Sequence, residues 1–431
     1  MMNENFLQFV WKYQLFEKQS LEIDGKSVEI IHQGTLNTDA GPDFFNAKIK
    51  IDETLWAGNV EIEIKSSNWY LHKHNDNEVF NNVVLQVVYI NDNQNILNSK
   101  GIKVPTLKLN INENLIDKYK ELEKSVNWIA CQNDFNKVNE IKLRMWLSNI
   151  LVERLQAKSN YILNKLKENK NDWAETFYQI LARGFGFKIN KEPFEWLANS
   201  LPQKIIAKQK NSIMQIESLL FGQAGFLTNE LEISYFKELK NEYNFFQKKY
   251  SLKPLEKYLW KFLRLRPSNF PSIRIAQFAN LIFKSNSLFS QIIEIEKIED
   301  LKKIFDVKAS EFWETHYTFE KESPNKRKKL GKQSIDIILI NTIIPFLYVY
   351  GQSTDNQQIK DRAISFLENI KAENNKIIRY FIDMGVRADN AFYSQALIQL
   401  KNEYCEKKNC VNCAVGTEIL HQEINRIKIN T

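Results

Sequence analysis

The chain has 431 residues, too many for one simple hydrophobic core, so two or three domains are expected. Hydrophobic residues make up 43% and charged residues 26%, which excludes disorder as the default state. With 13 glycines and 9 prolines, a many-turned all-β protein is disfavoured and long helices are expected. The formal charge of +7 is mildly basic, which fits nucleic acid as a partner but also fits an ordinary Lys-rich chain. The opening MMNEN lacks a basic region followed by an apolar run, so no secretion signal is read. The longest apolar run, 335–350, contains Asp336, Asn341 and Pro345 and falls short of the ~20 residues of a membrane span. It reads as a buried core helix, in a cytoplasmic protein with no membrane partner.

In chain order, apolar positions Phe6, Leu7, Phe9, Val10, Tyr13, Leu15 and Phe16 predict an amphipathic helix over 6–18. A strand over 27–32 follows the Asp24-Gly25 turn. After Gly41-Pro42, residues 45–51 alternate apolar and polar, and 56–66 do so again after a break, which predicts a β-hairpin. The polar stretch 68–82 is expected to be partly helical. Residues 83–90 (VVLQVVYI) are almost continuously apolar, as in a strand covered on both faces. Residues 102–109 offer an edge strand. From about Glu113 the spacing becomes helical, for example at Leu143, Trp146, Leu147, Ile150 and Leu151. The expected class is α+β: an α-β-β-β-α-β domain over 1–112, followed by a large all-α domain over 113–431.

Side chains on a strand alternate faces. In 58–65, Val60, Ile62 and Ile64 therefore enter a core, while Asn59, Glu61, Glu63 and Lys65 share the other face. Ahead of the partner strand stands Pro42-Asp43. An acid at a strand start and an acid-x-Lys on its neighbour resemble the PD-(D/E)XK nucleases, and the element order resembles their restriction-endonuclease-like core. That resemblance implies Asp43 and Glu63 as ligands of Mg²⁺ or Mn²⁺, with Glu61 as a further candidate. It also implies Lys65 as the group that stabilises charge on a phosphodiester. The bland alternative is a strand face of cross-strand ion pairs. A regular register pairing Phe45, Ala47 and Ile49 with Val60, Ile62 and Ile64 would turn Asp43 away from Glu63, so the site requires an irregular strand entry.

His72 and His74 lie close behind in sequence and are candidates for metal ligation, acid–base work or phosphate contact. The segments HQGTLNTDAGPDF (32–44), WAGNVEIEIKSSNWYLHKH (56–74), RPSNFPSIRIAQFA (266–279) and KKLGKQSIDIILINTIIPFLYVYG (328–351) together resemble a bacterial domain-of-unknown-function family, number 2851. That family carries no established activity, so function must come from the residues themselves. Divalent-metal-dependent cleavage of nucleic acid is the leading expectation. The alternatives are a non-catalytic nucleic-acid-binding or scaffold protein, and a small-molecule metal hydrolase built on His72 and His74.

Cys131 and the cluster Cys405-x4-Cys410-x2-Cys413 supply four thiols, enough for a structural zinc or a [4Fe–4S] cluster. Such a centre would tie the start of the helical part to its end. Lys326, Arg327, Lys328 and Lys329 form a basic run that could track a phosphate backbone. Arg264, Arg266 and Arg274 flank a Pro-rich turn and are further candidates for nucleic-acid contact. Both groups have a structural alternative, as solvated or helix-capping charges.

Overall fold

A computed structural model describes residues 2–18, 21–285 and 287–430, with side chains as far as Gln422. The protein is α+β, an N-terminal sheet followed by many helices. Helix α1 (Glu4–Lys12) is capped by Asn3, whose side chain accepts from the Phe6 N–H at 3.0 Å. It ends earlier than its apolar pattern suggests, because Gln14 takes a left-handed φ of 53°. Phe6, Leu7, Phe9, Val10 and Trp11 are buried, which leaves Glu4 and Gln8 half-buried on the remaining face.

The strands are β1 (Glu22–Ile23), β2 (Lys26–His32), β3 (Thr35–Leu36), β4 (Phe44–Ile51), β5 (Thr54–Lys65), β6 (Val83–Ile90) and β7 (Thr106–Lys108). They form one sheet in the order β1-β2-β4-β5-β6-β7, with β3 also paired to β4. The β2–β4 and β4–β5 pairs are antiparallel, whereas the β5–β6 and β6–β7 pairs are parallel. A parallel pair needs a crossover, and residues 66–82 provide it, with helix α2 (Asn68–Leu71) at their start. Gly58 sits where this crossover returns. A Cβ there would come within 2.4 Å of Val84 Cγ1 and 2.6 Å of Asn82 O, so the close approach requires glycine. The anticipated edge strand is shorter than 102–109, comprising Thr106–Lys108 alone.

Packing divides the chain into two compact units. One comprises residues 1–147, 383–385 and 398–431, and the other 148–382 and 386–397. The division therefore falls within helix α4 (Glu140–Glu168) and not at 112/113. Helix α3 (Glu113–Lys124) joins the sheet unit because its Tyr119 ring stacks on Phe6 at 4.2 Å. The C-terminal helix Ala414–Asn430 does so through His421, whose ring lies 5.9 Å from Phe9 and 5.1 Å from Tyr13. Helical spacing identifies a helix but not the core it joins.

The second unit is helical apart from a small β-ribbon at 316–322. Its helix Lys332–Ser353 is long and apolar enough to cross a membrane, and 72% of its apolar window is buried inside the protein. A π-helical turn at Leu339–Ile343 interrupts it. There Thr342 lies against Gly184, where a Cβ would meet Thr342 Oγ1 at 2.4 Å. Gly184 in the RGFGF stretch is thus a helix-packing residue.

Candidate metal centre

The irregular strand entry exists. Ala47 pairs with Gly58, but Phe44 pairs with Val60, so β4 carries one extra residue between them. Asn46, at φ 59°, is the left-handed residue inside this bulge. A slip of one residue turns every side chain beyond it to the opposite face. Asp43 consequently shares the face of Glu61 and Glu63. Its backbone N–H donates to Glu61 Oε2 at 3.1 Å, and its Oδ2 accepts from the Ile62 N–H at 2.9 Å. Asp43 Oδ1 accepts from Gln8 Nε2 at 2.8 Å, which ties α1 to the site.

The SSNWYLHKH stretch brings the histidines to the same place. Ser66 and Ser67 grip Asp92, the Ser66 hydroxyl donating to Oδ1 at 3.0 Å and the Ser67 hydroxyl to Oδ2 at 2.9 Å. This clamp joins the ends of β5 and β6. Trp69 is fully buried and donates to Leu97 O at 2.9 Å, and Tyr70 donates to Asn95 O at 2.7 Å. Lys73 then adopts φ 60° and folds the chain back, so that His72 and His74 both face Glu63. The His74 ring is held by stacking on Phe80 at 3.9 Å.

Glu63 Oε1 lies 2.9 Å from His72 Nδ1 and 3.2 Å from His74 Nε2. His74 Nε2 is also 3.2 Å from Glu61 Oε1. One ligand atom from each of Glu63, His72 and His74 lies within 4.8 Å of the others. Glu63 is 1% exposed, and its second oxygen, Oε2, is buried without a hydrogen-bond partner. Glu4 brings a further carboxyl from α1, in hydrogen-bonding reach of Glu63.

Crowding four carboxyls away from water shifts their proton affinities. Burial, then Glu61, pushes Asp43 up to about 8, against the relief given by the Ile62 N–H. Burial raises Glu61 despite His74. Burial, followed by repulsion from Glu63, raises Glu4. Burial opposes the charge on Glu63 too, but His74 and His72 outweigh it and hold this carboxylate low. The same opposition holds at His74, where Glu61 and Glu63 overcome burial and lift the imidazolium to about 9. Glu63 is therefore the carboxyl of the cluster that most favours its charged form, whereas Asp43 is pushed towards its protonated form.

The other expected site residues fall in different places. Lys65, at the end of β5, is exposed, and its side chain makes no hydrogen bond or ion pair with the described residues. Arg264 and Arg266 are exposed, as are Lys326, Arg327 and Lys329, the last within 3.6 Å of Asp306. Lys328 and Arg274 are each 4% exposed, unlike the other basic candidates. Lys328 donates to Glu314 O at 2.9 Å and lies over the Tyr317 ring. Its basic neighbours leave to solvent while it enters the fold.

Cys131, Cys410 and Cys413 are buried, Cys405 is half-buried, and none is in a disulfide. All four belong to the sheet unit. Burial pushes each thiol up, and Cys413 and Cys410 raise Cys131 and Cys405 further, so the four lie within electrostatic reach of one another.

The residues missed by sequence reasoning are Glu4 and Gln8. Their signal is their spacing, two polar positions four apart and so on one face of an amphipathic helix.

Fold and site define an α+β protein with a carboxylate–imidazole cluster on a mixed sheet, buried at Glu63 and open to solvent at His72. The chain matches the family described as protein of unknown function (DUF2851) over residues 4–376, and it belongs to that family. No curated protein and no solved structure matches it.

Proposed function

We propose that the sheet unit cleaves phosphodiester bonds of nucleic acid with the help of a divalent cation, at a PD-(D/E)XK-like site. The observation that carries this reading is the bulge at Asn46. It sets Asp43 on the face of Glu61 and Glu63, against the register expected from the apolar pattern. The strand order supports it: an antiparallel β2-β4-β5 run continued in parallel by β6, with the acids just before β4 and on β5, fits the nuclease-like core. The donor set also fits a cation. Glu63, His72 and His74 converge, and Glu63 Oε2 is buried without a hydrogen-bond partner. Two imidazoles favour Mn²⁺ over Mg²⁺, which prefers an all-oxygen shell. When bound, the cation supplies Lewis-acid polarisation of the phosphate and an activated water. His74 gives up its proton when it serves as a ligand. Glu61 and Asp43 hold the cluster's geometry, and exposed Lys65, two residues beyond Glu63 on β5, would supply positive charge to the phosphate.

The test is incubation of the purified chain with Mn²⁺ or Mg²⁺ and end-labelled single- and double-stranded DNA and RNA. Glu63→Ala and Asp43→Ala are expected to abolish cleavage, and cleavage that survives both rejects the site. A second reading, a nucleic-acid-binding or scaffold protein without catalysis, is favoured by one observation. Both oxygens of Asp43 are already taken, by Gln8 and the Ile62 N–H. It predicts salt-sensitive binding that persists in EDTA.

For the four cysteines we propose a thiolate-held structural centre, zinc or [4Fe–4S], which joins Cys131 to the segment 405–413. Four reduced thiols whose burial disfavours isolated thiolates suit a soft metal. They also suit the reducing cytoplasm in which we place the protein. A broad visible absorbance in anaerobically purified protein identifies iron–sulfur, and its absence with stoichiometric zinc identifies zinc. Protein free of both metals rejects the centre.

A further inference from the structure

The helical unit contains a cleft of about 600 Å³ where three segments meet at the start of helix Lys332–Ser353. They are 186–190, 265–274 and 331–337. Lys188, Arg266, Arg274 and Lys332 line it, and among the described residues no aspartate or glutamate does. Arg274 is 4% exposed and has only neutral partners. Its Nη1 donates to Gln277 Oε1 at 2.9 Å, and its Nη2 to Asn269 Oδ1 at 2.6 Å and Ser334 Oγ at 3.0 Å. The Phe187 ring lies 4.4 Å beneath the guanidinium. Arg274 Nε is buried and without an acceptor.

A buried cation with no counter-charge is strongly unfavourable unless an anion arrives to complete it. Burial here is enough to lower the arginine to about 10. Two further features point into the same cleft. Gly331 begins the helix without any side-chain cap, so the first-turn amides are open to an anionic ligand. Phe187 is held at φ 51°, a conformation that a bulky residue rarely keeps without a functional reason.

We propose that this cleft binds the terminal phosphate of a nucleotide-sized ligand. Arg274, Arg266 and Lys332 supply the positive charge, and the amides at the start of the helix supply donors. The cleft far exceeds a bare phosphate and falls within the ~300–1,000 Å³ of ligand pockets. Ile189, Leu265 and Ile337 provide apolar wall for the rest of the molecule. The phosphomonoester can come from a free nucleotide or from the 5′ end of a strand. The site stands independently of any chemistry on the sheet.

Isothermal titration calorimetry of the full chain, in EDTA to silence a metal site, tests this. The probes are adenosine 5′-monophosphate, adenosine, and one oligonucleotide with a 5′-phosphate or a 5′-hydroxyl. A phosphate-bearing probe is expected to bind and its phosphate-free counterpart not to. Tighter binding of the mononucleotide assigns a free nucleotide, and tighter binding of the phosphorylated strand assigns a strand end. Arg266→Ala and Lys332→Ala, both at exposed positions, are each expected to weaken binding about tenfold without unfolding the protein. Arg274→Lys keeps the charge but loses the planar fork, and should weaken it as well. Absence of binding by every phosphate-bearing probe at millimolar concentration overturns the proposal. So does affinity unchanged in both exposed variants.

Discussion

The backbone N–H of Asp43 donates to Glu61 Oε2 at 3.1 Å, across a strand pair that slips by one residue between Phe44 and Ala47. Without that slip Asp43 would point into the opposite layer, and the acids of β4 and β5 would not meet. Asn46 carries the slip in a left-handed conformation that asparagine tolerates and β-branched residues resist. Asn46→Val is therefore expected to destabilise the protein by about 1–2 kcal/mol, and Asn46→Gly to leave it unchanged or slightly firmer. Urea unfolding of the two variants checks this, and equal stabilities would contradict it.

Ligand and phosphate-facing residues should separate in their effects. His72→Ala and His74→Ala are expected to weaken Mn²⁺ binding at least tenfold, the lower range seen when even the supports of a metal ligand are removed. Lys65→Ala should leave Mn²⁺ affinity intact and slow cleavage by about 10²–10³, as for the loss of one charge-stabilising donor. Calorimetric Mn²⁺ titration beside single-turnover cleavage distinguishes the two classes. A Lys65→Ala variant that loses Mn²⁺ binding would place the lysine inside the ligand cluster.

Much of this site is visible in the sequence. Alternation alone sets Glu61, Glu63 and Lys65 on one face of β5, and the apolar run 83–90 marks the parallel strand beside it. The remainder depends on backbone events that side-chain patterns do not encode. The bulge reverses the face of Asp43 through one residue's φ. Lys73 turns left-handed between two histidines and converts a spacing of two into a converging pair. The Gln8–Asp43 contact spans 35 positions, so α1 could be recognised as a helix but not aimed. Lys328 and Arg274 look like surface charge in sequence because burial of a cation depends on carbonyl and amide oxygens brought from elsewhere.

In the helical unit, Glu217 offers a pH test unconnected with the metal centre. It is 1% exposed and accepts from the Tyr235 hydroxyl at 2.8 Å, and burial pushes it up to about 7 from 4.5. A carboxyl with a raised folded-state pKa binds its proton more tightly when folded. Its stabilising contribution is therefore complete below about 4.5 and is lost as pH rises through about 7. The loss is on the order of 3 kcal/mol. Glu217→Gln cannot titrate, so its melting temperature relative to the natural protein should rise between pH 5 and pH 8. A difference independent of pH would show that Glu217 stays ionised in the fold.

Cleavage of end-labelled nucleic acid in the presence of Mn²⁺, compared between the natural chain and Glu63→Ala, bears most directly on the sheet unit's chemistry. The site described here predicts product from the natural chain, none in EDTA, and none from the variant. Product formed equally by Glu63→Ala, or no Mn²⁺-dependent product from any DNA or RNA substrate, would contradict it.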